Sequence, residues 1–219
     1  MLSKEFRLIN EEFYAESVLP EQMDSLWANG WRHFGKHFFR YNVGFFRNEL
    51  RYVLPLRIDL ARFEFSKGQR RNLRRNSDLS VVIGPIDLTP EANNLFELHK
   101  TRFEYGAPDS IFTFLSSEPA NSPCAAKEIC VYEEDRLLAV SYFDVGSRSV
   151  SGVYAMFDPA ITHRGLGIFT MLKEIEYSIE TNRQYYYQGY AYEGESFYDY
   201  KKRFRATEVF DWDGSWVDF

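Results

Sequence analysis

The stretch that most constrains the fold is Arg148–Phe204, where a strand, a glycine-bearing turn, a helix and a second strand follow one another. Arg148–Phe157 carries apolar residues on both alternating faces from Val153 onward, the pattern of a strand covered on both sides. Asp158-Pro159 ends it. Proline has no amide hydrogen to give a ladder and pushes the residue before it out of helical geometry. His163–Gly167 then opens a helix. Ile168, Leu172, Ile175 and Ile179 fall at helical spacing, which leaves Lys173, Glu174, Glu176 and Glu180 to face water. Gln184–Ala191 supplies the next strand.

The turn itself reads Arg164-Gly165-Leu166-Gly167. Two readings stay open from these residues alone. One is a tight turn packing a helix onto a sheet; the other is an anion cradle, with main-chain amides backed by a helix N-terminus. With its flanks, the turn resembles the pyrophosphate-binding turn of the acetyl-CoA-dependent N-acyltransferase superfamily (the GNAT fold), where Arg or Gln precedes alternating glycines. Phe169 departs from that pattern, which has Gly or Ala there so that backbone can approach the cofactor. The whole segment is more similar to the C-terminal half of the aminoacyl-tRNA–protein transferases. These are the arginyl- and leucyl-transferases of the N-degron pathway, which share the fold. The matches are Tyr154 with Phe157–Pro159, Leu166–Phe169, Glu174-Ile175, Tyr185–Tyr190, Tyr200-Lys201 and Phe204-Arg205. In that family the position of Phe169 is aromatic.

A second block continues the resemblance through Gly30–Arg32, Gly35-Lys36, Arg40, Arg57-Ile58, Ala61–Phe63 and Ser66–Leu79. The family carries a cysteine cluster in this region, used for a metal or iron–sulfur site. Here the equivalent stretch, Tyr41–Phe46, has none, and the chain's two cysteines, Cys124 and Cys130, cannot build one. Their spacing fits no common zinc motif, so neither cluster nor zinc is expected, and a reducing compartment is the simpler reading.

The formal net charge of −6 gives no sign of nucleic-acid binding, so any such surface must be local. The concentrated positive run is Arg62–Arg75. Ser66 reads as a helix cap, and the helix carries Lys67, Arg70, Arg71, Arg74 and Arg75. Arg70 with Arg74, and Arg71 with Arg75, are like-charged neighbours one turn apart, which costs a few tenths of a kcal/mol unless an anion is near. Contact with phosphates and pairing with the protein's own carboxylates both remain open. Lys201–Arg205 is a smaller basic spot.

Among the histidines, His33 and His37 stand four apart, but Gly35 and the flanking aromatics predict a strand over Trp31–Arg40, where they are poorly placed for one ion. His99 shares the apolar stripe of a helix expected over Thr89–Tyr105, with Thr89 as cap and Pro90 as first residue. His163 beside the turn either touches a phosphate or is a plain loop residue. Pro20–Gly30 reads as a short helix, and Glu49–Leu60, Ile111–Leu115, Glu128–Tyr132, Leu137–Phe143 and Val209–Trp216 as strands, with a hairpin turn at Glu133–Asp135. The N-terminus lacks the form of a signal peptide and no apolar run reaches membrane-spanning length, so the cytoplasm is expected.

Together these features predict an α+β, GNAT-like acyltransferase fold with a mixed central sheet. Residues 1–80 form an N-terminal portion suited to tRNA contact, and residues 81–219 form the acyltransferase domain. The resemblance implies transfer of an amino acid of the Arg or Leu class from aminoacyl-tRNA, a co-substrate rather than a cofactor, to the α-amine of a protein with an acidic first residue. Neither DNA nor a membrane enters as a partner. Tyr154–Phe157 and Tyr187–Ala191 are expected to line a V-shaped split. Within it Tyr154, Asp158 and Tyr187 are candidate catalytic residues. Arg164, Gly165, Leu166, Gly167, Phe169, Tyr186, Gly189, Tyr190 and Lys201 are candidate donor-binding residues. Arg62, Lys67, Arg70, Arg71, Arg74 and Arg75 are candidates for tRNA contact. The alternatives are an acetyl-CoA N-acyltransferase and a non-catalytic relative that binds tRNA or a degron.

Overall fold

The computed structural model describes residues 7–103 and 106–219. Strands β1 (Asn10–Tyr14), β2 (Arg32–Phe34) and β3 (His37–Tyr41) make a small antiparallel sheet, with α1 (Pro20–Ala28) between the first two in sequence. Next come β4 (Val43–Phe46), β5 (Glu49–Asp59), α2 (Lys67–Arg75), β6 (Ser80–Pro85) and α3 (Pro90–Lys100). They are followed by β7 (Ala126–Glu133), β8 (Arg136–Val145), β9 (Ser149–Phe157), α4 (Leu166–Glu180), β10 (Tyr185–Tyr192), β11 (Thr207–Phe210) and β12 (Trp216–Asp218). The large sheet runs β12-β11-β5-β10-β9-β8-β7-β6, with β4 paired to β5. The segment before residue 80 therefore contributes β5 to the middle of this sheet.

Both faces of the sheet are covered, which explains the unbroken burial of β8 from Leu137 to Asp144. On one side α4 sets Phe169, Leu172 and Ile175 against Ile129, Leu138 and Val150. On the other, α3 sets Leu95 and Phe96 against Val140, Tyr142 and Met156. A third cluster joins α1 to the small sheet and to β10 through Met23, Trp27, Phe38 and Tyr187. No helix among the described residues is long and apolar enough to cross a membrane.

Several sequence expectations need correction. Trp31–Arg40 is a hairpin rather than one strand, because Gly35 turns the chain at φ +51°. Ile111–Thr113 is a 3-10 turn capped by Ser110, whose hydroxyl accepts the Phe112 amide; this lets Phe114 stack on Tyr154 at 4.0 Å. The C-terminal segment folds back as β11 and β12, because the Asp211 carboxylate accepts the amides of Asp213 and Ser215 and tightens the turn. α3 stops at Lys100, and residues 104 and 105, which the expected helix included, lie outside the described residues, as do residues 1–6. Glu174, expected to face water, is 3% exposed.

Candidate functional site

The sheet opens at its centre. β9 and β10 form a parallel pair, but their ladder runs only from Ser149–Ser151 to Tyr185–Tyr187. Beyond it β9 continues to Phe157 and β10 to Tyr192 without pairing to each other. A bulge at Gln188, followed by Gly189 at φ +84°, bends β10 away at the point where the ladder ends. This is the V-shaped split expected from the sequence.

Side chains from distant segments meet in it. Arg32, from β2, donates to the Ser151 hydroxyl and to the Gly152 carbonyl on the β9 edge. Lys201 donates to the Tyr190 carbonyl at 3.0 Å on the β10 edge. The Tyr190 hydroxyl donates to the Gly30 carbonyl at 2.6 Å. Behind the split the Tyr186 hydroxyl donates to Glu174 Oε2 at 2.5 Å. Gly152 makes this possible, since a Cβ there would come within 2.7 Å of the Tyr186 oxygen and 3.0 Å of Glu174 Oε2. A strand-interior glycine is the one sequence signal for this close approach.

Burial sets the titration of these groups. It raises Tyr186 and Tyr190 well above the ordinary tyrosine range, and it pushes Tyr154 up to about 12. Burial likewise pushes Glu174 up to about 7, against the lowering pull of the bond from Tyr186. Lys201 is pushed down to about 7, by burial first and by the neighbouring Arg32 second. Both groups at the split are thus moved toward titration near neutral pH.

A raised carboxyl pKa means that folded Glu174 holds its proton more tightly than the unfolded chain does. Its contribution to stability is fully present below about 4.5 and is lost as pH rises to about 7. Glu174→Gln keeps an acceptor for Tyr186 and removes that loss. The variant is expected to exceed the parent in stability at pH 8 by about 3 kcal/mol and to match it near pH 4.5. Urea titrations at both pH values measure this, and equal stability of the two proteins at pH 8 would contradict it.

The sequence candidates divide by position. Asp158 caps the turn after β9, accepting the Ala160 amide at 2.8 Å, and pairs with Arg136. It is therefore committed to holding the turn. Tyr187 packs between Trp27 and Trp216 in the cluster under α1, and Tyr154 lies between Phe114 and His99. Leu166 and Phe169 are core residues, and the Phe169 ring is 1% exposed in the cluster beneath α4 rather than in front of the turn. Gly165 is required by its φ of +65°, and a Cβ on Gly167 would meet the Phe157 ring at 3.0 Å. Arg32 and Glu174 are the residues that the sequence did not single out for a role.

The basic helix and the glycine turn form one surface. Asn72 donates to the carbonyls of Arg164 and Gly165 at 3.1 and 3.2 Å, Asn76 donates to that of Arg164 at 3.0 Å, and Arg75 donates to that of His163 at 2.6 Å. Arg164 is held by Asp78 at 2.8 Å and Glu133 at 3.0 Å. Ser66 and Gln69 form the capping box that starts α2. Lys67, Arg70, Arg71, Arg74 and Arg75 are all exposed, and none forms an ion pair among the described residues. Arg62 differs: it meets Asp59, Glu208 and Asp218 at 2.7–2.8 Å.

One further group has metal-ligand chemistry. His33, Cys124 and Asp144 bring their ligand atoms within 4.8 Å of one another, all buried. His37 is half-buried beside Glu12, apart from this group. Both nitrogens of His33 already have partners, the Gly35 carbonyl and Asp144, each at 2.8 Å. Burial, reinforced by Asp144, holds the Cys124 thiol far above its usual range. A protonated thiol beside a fully bonded imidazole suits a hydrogen-bond network better than a metal centre.

A mixed sheet with one splayed parallel pair, a glycine turn and a following helix defines the α+β GNAT-like acyltransferase fold. The solved structure of FemX matches 89% of this chain and 66% of its own at TM-score 0.52 and 10% identity, a likeness of fold alone. A family model described as arginine-tRNA-protein transferase, C terminus, matches residues 92–211. The aspartate/glutamate leucyltransferase of Xanthomonas euvesicatoria pv. vesicatoria (strain 85-10) is 31% identical over 169 residues, covering 74% of this chain and 67% of that protein. The enzyme of the same name from Stenotrophomonas maltophilia (strain R551-3) is 30% identical over 174 residues, covering 76% and 69%. The chain belongs to the arginyl-tRNA–protein transferase family and spans about two thirds of the length of these relatives.

Proposed function

We propose that this protein transfers leucine from aminoacyl-tRNA to the α-amine of a polypeptide whose first residue is acidic, in the cytoplasm. Family membership supports the reaction type, and the names of the relatives support the amino acid and the acceptor. The observation that carries the reading is the attachment of the basic helix α2 to the glycine turn at the open end of β9. A tRNA acceptor arm lying along α2 brings its 3′ end to the split. The helix N-terminus at Gly165 then faces the terminal phosphate, and the exposed arginines take backbone phosphates.

In the transfer the neutral α-amine attacks the ester carbonyl. A C–N bond forms, the C–O bond to the ribose breaks, the amine loses a proton and the ribose oxygen gains one. The ester is already activated, so holding the two reactants in the split supplies much of the rate. Glu174 behind Tyr186 is the carboxyl suited to accept the proton near neutral pH, a role that Asp158 gives up to its cap and its arginine.

The test is a transfer assay with tRNA charged with leucine or arginine and peptides beginning with Asp, Glu, Arg or Ala. Leucine is expected on the Asp and Glu peptides. Acetyl transfer from acetyl-CoA with none from tRNA would replace this reading with the acetyltransferase one. tRNA binding without transfer would leave a binding protein.

A further inference from the structure

Among the described residues, the split holds two basic side chains with no carboxylate bonded to either. Lys201 Nζ lies 3.3 Å, and Arg32 Nε and Nη2 each 3.6 Å, from the point where a Cβ on Gly189 would stand. Both side chains are half-buried, and neither forms an ion pair within 4 Å among the described residues. Among the described residues, Arg32 bonds only a hydroxyl and a carbonyl, and Lys201 only a carbonyl, with the Tyr198 ring 5.0 Å from its ammonium. Asp144 and Glu174 act on Arg32 through space without bonding it. Holding two like charges together under partial burial is costly unless an anion completes the site. Burial first, and the neighbouring Arg32 second, lower the Lys201 pKa. Gly189 keeps the space in front of both cations free of a side chain.

We propose that Arg32 and Lys201 form the pocket that receives the side-chain carboxylate of the acceptor's first residue. The inference rests on the proposed transfer and names what selects its acceptor. Position favours a single carboxylate over a nucleic-acid phosphate. The cations stand beside Gly152 and Gly189, where the β9–β10 ladder has just ended, so the space is at its narrowest. A chain end carrying one small anion fits there. A phosphate flanked by two sugars fits the exposed surface of α2 and the glycine turn. With its carboxylate on the two cations, the first residue sets its α-amine in the split, where the donor ester is attacked. Arg32 supplies a planar fork for the carboxylate and Lys201 a point charge.

The experiment measures transfer to, and direct calorimetric binding of, peptides beginning with Asp, Asn, Glu, Gln and Lys. It uses the parent, Lys201→Met, Lys201→Arg and Lys201→Glu. The parent is expected to prefer Asp over Asn by about a hundredfold. Lys201→Met is expected to collapse this ratio toward one, chiefly through KM for the Asp peptide. Lys201→Arg is expected to keep the preference, and Lys201→Glu to shift binding toward the Lys peptide. Thermal melts identify a variant that fails to fold, and Lys201→Arg then carries the comparison with the parent. An unchanged Asp:Asn ratio with a raised KM for charged tRNA would overturn the proposal and give the cations to a phosphate. Absence of transfer in the parent, with preferential binding of the Asp peptide intact, would count against the proposed reaction but not against this pocket. Equal binding of Asp and Asn peptides by the parent would count against the pocket.

Discussion

Phe169→Ala is expected to lower stability by about 3–5 kcal/mol, the usual cost of emptying a buried aromatic site. The ring is 1% exposed and stands in the cluster that joins α4 to β7, β8 and β9. Its neighbours there include Leu138, Leu172 and Ile175, each fully buried, and a packed core of this kind closes over a cavity only in part. Denaturant titration measures the loss. A cost below about 1 kcal/mol would return the ring to the surface of the turn. The same placement changes what Phe169 does for donor choice. An aromatic residue at this point of an acyltransferase turn suggests a plug in front of the cofactor site, yet the helix turns the ring inward. Phe169→Gly would therefore probe packing before it probed any preference between an adenosine end and acetyl-CoA.

What the sequence revealed and what it hid follow from the range of the interactions involved. The strand–turn–helix–strand unit was legible because its signals are local: the Asp158-Pro159 stop, the glycine turn and the periodicity of α4. The caps of α2 and α3 at Ser66 and Thr89 were legible for the same reason. The hairpin at Gly35 is hidden in the sequence because one aromatic-rich run looks the same whether continuous or folded back. Glu174 was misplaced because periodicity assumes a helix with one buried face. Glu174 instead faces the sheet, where Gly152 on β9 leaves room for its carboxyl to meet Tyr186 of β10. Arg32 was beyond reach for a different reason. Its partners Ser151 and Gly152 are 119 and 120 residues away, and alternation along a three-residue strand carries no hint of them. The fold was written in spacing, whereas the site depended on which loops the sheet brought together.

Removing the charge of α2 is expected to weaken tRNA binding by roughly a hundred- to a thousandfold near physiological salt. The variant replaces Arg70, Arg71, Arg74 and Arg75 with Ala. All four are exposed, alanine preserves the helix, and Asn72 and Asn76 keep α2 on the glycine turn once the Arg75 bond is lost, so the loss falls chiefly on charge. Arg70 and Arg75 spend one donor each on the carbonyls of Phe65 and His163, which aims their guanidiniums without neutralising them. Each lost phosphate contact flattens the plot of log affinity against log salt by about 0.9, so four lost contacts flatten it by about 3.6. Arg62 is the internal control. It lies next to this helix in sequence, but three carboxylates already surround it. Arg62→Ala is therefore expected to leave the salt slope unchanged while the fourfold variant flattens it. Filter binding or fluorescence anisotropy across a salt series measures both. If the fourfold variant keeps the parent's slope, these arginines form a solvated face, and the tRNA must approach the split from another side.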